Sequence, residues 1–188
     1  MVKYIKANSY LIVKQFAYQF LSMIMGLILY FNVYASSSIW LKLAVTLFSI
    51  GFYMVIQYTG FWDAGASDII KIEGKRLKYR PWAGLVMSLI ASAPNFILAA
   101  LITMGNILGK EGGRFAYEWA GNIGAISRTI AIFWEAPYDG IINLYSPNNP
   151  IIFWLIPLPA IFFAGLGYYA GLKNFTIIRI KKKNKKKY

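Results

Sequence analysis

Four stretches of this chain run for twenty residues or more without an Asp, Glu, Lys or Arg: residues 15–34, 43–62, 82–107 and 151–172. A helix needs about 20 residues to cross about 30 Å of hydrocarbon. Each stretch is apolar around its whole circumference, which separates a span from an amphipathic surface helix. In lipid every backbone N–H and C=O has to be paired within the protein, so spans of this kind are helical. Composition agrees: 58% of residues are hydrophobic and 14% charged, against about 25% charged in a soluble domain. So much apolar surface cannot be hidden in a core of 188 residues, and disorder calls for low hydrophobicity. The expectation is an all-α integral membrane protein with four transmembrane helices.

Charge sets the expected orientation. Lys3, Lys6 and Lys14 precede the first span, and Lys71, Lys75, Arg76, Lys78 and Arg80 lie between the second and third. Lys173, Arg179, Lys181, Lys182, Lys183, Lys185, Lys186 and Lys187 follow the fourth. Only Lys42, Lys110, Arg114 and Arg128 fall on the other side. The positive-inside bias places both termini in the cytoplasm and residues 35–42 and 107–149 outside. Tyr and Trp gather near the span ends, as at Tyr34, Trp40, Trp62 and Trp82, where amphipathic rings favour the headgroup layer.

The segment between the third and fourth spans is too long for an unstructured connection. Residues 115–136 are apolar enough to suggest a fifth span. That would put the basic loop and the basic tail on opposite sides and leave Arg128 at mid-membrane, at about 2.5–3.5 kcal/mol. The segment is therefore read as an outer-leaflet interfacial helix, closed by Pro137 with Tyr138, Asp139 and Gly140 as a turn. Its Arg128 and Glu135 are read as a face turned to water. Residues 1–174 form a single membrane domain and 175–188 a basic cytoplasmic tail. The run Val33-Tyr34-Ala35 resembles a signal-cleavage site, but the apolar run before it exceeds a usual signal core, which favours a retained helix.

The chain has no Cys and no His. That excludes thiol chemistry, imidazole bases and Cys- or His-ligated metals, and the expectation is a protein that is not an enzyme and needs no cofactor. Asp63 and Asp68, with Gly65 between them, are a weak candidate cation pair. The simpler reading is a turn ending span two, in which they offset Lys71, Lys75 and Arg76. Lys75, Arg76, Lys78 and Arg80 suit a phosphate or lipid headgroup. The tail Lys181–Lys187 suits anionic lipid at about 1 kcal/mol per basic residue. With no aromatic interleaved and no RNA-binding fold, nucleic acid is disfavoured.

The four spans lack the ionisable groups that coupled transporters place at mid-membrane. They do carry Pro94, Asn95, Pro157 and Pro159, and proline breaks can line a substrate site. Gly84, Ser88 and Ser92 step along span three, and Ala160, Ala164, Gly167 and Gly171 along span four. Such small faces allow close helix packing, here expected between spans three and four. The outer segment repeats the pattern at Ala116, Ala120, Gly124, Ser127 and Ala131. Three functions follow. The first is a non-catalytic accessory, assembly or protective subunit of a bacterial cytoplasmic membrane, acting by helix contact with a membrane-protein partner or a second copy. The second is a substrate-binding or permease component for a small neutral or apolar solute, and the third an enzyme acting on lipid phosphates.

Overall fold

The computed structural model describes residues 9–109, 117–145 and 149–175. All regular structure among them is helical: α1 (Ser9–Tyr34), α2 (Ile39–Glu73), α3 (Ala83–Ala91), α4 (Ala93–Leu108), α5 (Glu118–Trp134), a 3-10 turn (Ala136–Tyr138), α6 (Asp139–Tyr145), α7 (Ile151–Leu155) and α8 (Pro157–Leu172). Three helical stretches are long and apolar enough to cross a membrane: α1, α2 and the run Ile151–Leu172. The pair α3–α4, bent by 48°, makes a fourth if counted as one span. Lys3, Lys6, Lys110, Arg114, Ala116 and the tail Lys181–Lys187 lie outside the described residues.

Span two departs most from expectation. Ser38 starts α2 by accepting the Leu41 N–H on its hydroxyl, as N-cap serines do. The helix then continues unbroken through Asp63, Gly65 and Asp68 to Glu73. The expected turn at 63–68 does not form, because Gly65 serves helix packing. A Cβ there would stand 2.9 Å from the Leu172 N and 3.1 Å from the Gly171 Cα, so only glycine lets α8 approach this closely. The chain leaves α2 at Gly74, and Lys75 takes a left-handed φ of 55°.

Proline interrupts the other two spans. Pro94 lacks an N–H and crowds the preceding turn, and the backbone bends at Ser92, between α3 and α4. Pro157 interrupts the bonding of the fourth span at Ile156, between α7 and α8, but Ile156 keeps helical dihedrals and the run Ile151–Leu172 stays one helix.

Glycines decide which helices meet. Helices α2 and α8 form the most extensive pair. Gly167 lies on the backbone of Tyr58, and Gly171 on Trp62 and Ala66. Residue numbers rise together along this contact, so the two helices run parallel. Gly167 and Gly171 thus face span two rather than span three. Span three meets α8 at Gly84, which lies against Tyr168, and through Leu85, which lies against Gly165.

Helices α4 and α5 run antiparallel, with Gly105 opposite Gly124 and Gly109 opposite Gly121. Ala120, Gly124, Ser127 and Ala131 are the buried face of α5. The chain then reverses. The 3-10 turn packs on α1 where Gly26 faces Pro137. Helix α6 returns along α1 and α2, with Asn143 Nδ2 donating to the Tyr30 hydroxyl at 2.9 Å and Gly140 against Thr46. Residues 118–145 are therefore a helical hairpin packed into the bundle.

Two apolar clusters make the core. One joins Tyr53, Met54, Ala99, Ile102, Ala131, Tyr138, Ile142, Phe153, Ile156 and Ala160; the other joins Leu11, Phe61, Ala64, Ala83, Met87, Ala164, Tyr168 and Leu172. Between them each helix contributes polar side chains. Gln57 falls between Met54 and Phe61, and Ser88, Ser92 and Asn95 fall between Met87 and Ala99; Gln15, Gln19 and Ser22 follow Leu11.

Candidate functional site

The polar layer is built by helical periodicity. Gln15, Gln19, Ser22 and Gly26 recur at intervals of four, three and four on α1, so they share one face. Thr46, Ser49, Tyr53 and Gln57 recur at intervals of three, four and four on α2, and all eight are buried. The bend at Ser92 turns Asn95 toward the same region, and the hairpin brings Glu135 there. Gln19, Ser22, Tyr53, Asn95, Trp134, Glu135 and Pro137 line one pocket with no room for a water-sized sphere. Tyr53 lies about 20 Å along the axis of α2 from its start, at 1.5 Å per residue.

Few of these groups are satisfied. Gln15 Nε2 donates to Ser88 Oγ at 2.7 Å. Gln19 Oε1 and Nε2, Ser22 Oγ, Gln57 Oε1 and Nε2, Ser92 Oγ, Asn95 Oδ1, Trp134 Nε1, Glu135 Oε1 and Tyr138 OH are buried without a hydrogen-bond partner. Gln19 and Gln57 flank the Tyr53 hydroxyl without closing a well-aligned bond. An unpaired buried polar group costs about 1–3 kcal/mol, and native proteins keep few of them. Apolar residues would fill the same space at lower cost, so this concentration marks the layer as the candidate site.

Glu135 ends α5 at its C-cap and is 8% exposed. The reading of Arg128 and Glu135 as a solvated face is corrected. Glu135 turns inward because the 3-10 turn needs Pro137 against Gly26, while Arg128 is half-buried, its guanidinium over the Phe153 ring at 5.9 Å. Burial holds the Glu135 carboxyl well above the ordinary carboxylate range. Asp139 is raised by burial too, partly offset by its hydrogen bond from Asn143. The expectation that the four apolar runs carry no carboxylate leaves out buried ones beyond them, Asp68 on the extension of α2 and Glu135 and Asp139 on this hairpin. Because Glu135 sits outside those runs, scanning them could not find it. Gln15, Gln19 and Gln57 were findable: amides recurring at helical spacing inside apolar runs are the signal that was passed over.

The sequence candidates are otherwise dispersed. Asn95 is in the polar layer; Pro94 is half-buried beside it, Pro157 is buried at the break before α8, and Pro159 is exposed. Ser88 and Ser92 also join the layer, Gly84 packs on Tyr168, and Ala160 and Ala164 are buried in the two clusters. Asp63 and Asp68 are five residues apart on one helix, about 140° around its axis, and do not converge. Asp63 is exposed. Asp68 is buried, accepting from the Tyr168 hydroxyl at 2.9 Å and from Lys71 Nζ at 2.8 Å. Lys75, Arg76 and Lys78 are exposed on the loop and Arg80 is half-buried. Among the described residues no group of three or more carboxylates converges on a metal position. Comparison of the chain with protein-family models, curated proteins and solved structures finds no match in any of the three.

Proposed function

We propose that this chain is a four-span protein of a bacterial cytoplasmic membrane with both termini cytoplasmic, and that its hairpin 118–145 enters the bilayer from the outer side. We further propose that it is the binding component of a transporter for a small neutral, hydrogen-bonding solute. One observation carries this reading: the bent pair α3–α4 and a returning hairpin meet at a buried layer of unpaired amide, hydroxyl and carboxyl groups. Transporter sites have this build, with discontinuous helices and polar groups near the midplane. The pocket is closed in this conformation, so solute entry requires the hairpin to shift. Four spans are few for a complete pathway, and a second copy or a partner subunit completes it. The exposed Lys75, Arg76 and Lys78 suit anionic headgroups at the cytoplasmic face.

The small-residue stripes do not call for an accessory role, since Gly105, Gly124, Gly167 and Gly171 face helices of the same chain; the basic cytoplasmic face suits either reading. The lipid-phosphate enzyme loses its carboxylate pair, because Asp68 is held by Tyr168 and Lys71. The test is light-scattering swelling of proteoliposomes with urea and glycerol as probes. Entry faster than into protein-free vesicles, and slowed by Asn95→Leu, supports the reading. Equal rates with and without the protein overturn it, and a stoichiometric partner in a native pull-down then favours the accessory role.

A further inference from the structure

We propose that Glu135, with Gln19 and Ser22 of α1 and Asn95 of α4, forms a binding site for a small dehydrated monovalent cation. The inference rests on the reading of the polar layer as a ligand site and goes beyond the neutral solute.

Gln19, Ser22, Asn95 and Glu135, from three parts of the fold, line one pocket and carry the oxygens Gln19 Oε1, Ser22 Oγ, Asn95 Oδ1 and Glu135 Oε1. Each is buried without a partner, on a side chain more than nine-tenths buried. Amide, hydroxyl and carboxylate oxygens are the ligands of hard cations. Charge selects the valence. The pocket holds one carboxylate, so a monovalent ion gives a neutral pair, whereas a divalent ion would leave an uncompensated buried charge. Space selects the form of the ion. The closed pocket has no room for a water, so an ion held there exchanges its hydration shell for protein oxygens, which Mg²⁺ does reluctantly. The other titratable groups facing Glu135 are Tyr53 from α2 and Tyr138 from the turn. Helices α1 and α4 present only amides and hydroxyls to the pocket, and the Arg128 guanidinium lies over Phe153.

The experiment is thermal unfolding of the full chain in detergent, with NaCl against choline chloride at equal ionic strength. The expected result is a higher midpoint in NaCl. Glu135→Gln should abolish the sodium response, and Asn95→Ala should shift its midpoint concentration about tenfold upward, as the loss of one buried polar ligand implies. Equal midpoints in the two salts for the unaltered chain overturn the site, as does a full sodium response in Glu135→Gln. Should that variant fail to fold, Ser22→Ala and Asn95→Ala decide: an unchanged sodium response in both overturns the proposal. The two readings fail separately. Sodium binding without urea or glycerol entry overturns the permease reading alone, and solute entry with no sodium response overturns the cation site alone.

Discussion

Replacing Gly105 by Ala tests how the hairpin is held. A methyl at Gly105 would stand 2.5 Å from the Gly124 Cα and 2.8 Å from the Ala120 carbonyl oxygen. Ordinary carbon contacts begin near 3.5 Å, so α4 and α5 must part by about 1 Å at this point. Both obstructing atoms are backbone, and no rotamer change relieves them. Overpacking of this kind costs about 1–3 kcal/mol, while alanine in a helix returns about 0.5–1 kcal/mol relative to glycine. The net expectation is a loss of about 1–2 kcal/mol. The structure supplies two controls. A Cβ at Gly121 meets only Gly109 atoms at 3.6 and 3.7 Å, and one at Gly51 meets nothing within 4 Å. Gly121→Ala and Gly51→Ala should therefore be neutral or stabilising by up to about 1 kcal/mol. The assay is SDS-induced unfolding from mixed micelles, followed by tryptophan fluorescence; Trp134 lies on the hairpin against Phe16, with ring centroids 6.0 Å apart. Equal stability of Gly105→Ala and Gly51→Ala would refute the close antiparallel packing of α4 on α5.

Three further expectations follow from named contacts. Tyr168→Phe removes a 2.9 Å donor from the buried Asp68, at about 1.5–3 kcal/mol for a hydrogen bond to a charged group; the cost should vanish in the Asp68→Ala background, and a full cost there would count against the contact. In choline chloride, stability should fall as pH rises from the ordinary Glu range near about 4.3 through the raised Glu135 value, because the folded chain holds a proton that the unfolded chain releases. Glu135→Gln should flatten that slope except for the part due to Asp139, and a slope unchanged by the substitution would refute the burial argument. The chain is free of Cys, so in intact cells a Cys at Ser37 should react with an impermeant maleimide and one at Ser67 only after permeabilisation; the reverse pattern would invert the proposed topology.

The apolar runs made the long helices legible, since a charge-free run of this length has few alternatives to a helix that hides its own backbone. Their ends were less legible. Helix α2 runs eleven residues past the expected Trp62 because its polar end is secured by contacts distant in sequence, with Asp68 bonded to Tyr168 and Gly65 against α8. Small-residue spacing marks a face for close packing without naming the helix that fills it, so Gly167 and Gly171 were legible as contacts but not as contacts with α2. Asn95 was singled out for its place beside Pro94. Glu135 was misread because its burial depends on the chain reversing at Pro137 against Gly26, a tertiary event that no window on residues 115–136 contains.

The hairpin also bears on biogenesis. An acidic residue carried inside a spanning segment is charged for at the moment the segment partitions into lipid, by about 2.5–3.5 kcal/mol for aspartate at a helix centre. On the proposed topology Glu135 escapes that step. It lies beyond the apolar run that precedes it and enters the bundle on a reversing turn whose neighbours, Gln19 and Ser22 on α1 and Asn95 on α4, belong to segments synthesised earlier. Insertion of the spans and delivery of the acid are then separate events, in the order lipid first and packing second. The carboxyl meets amides and hydroxyls already in place instead of bare acyl chains. A polar group that the insertion machinery would resist thus reaches the interior by folding.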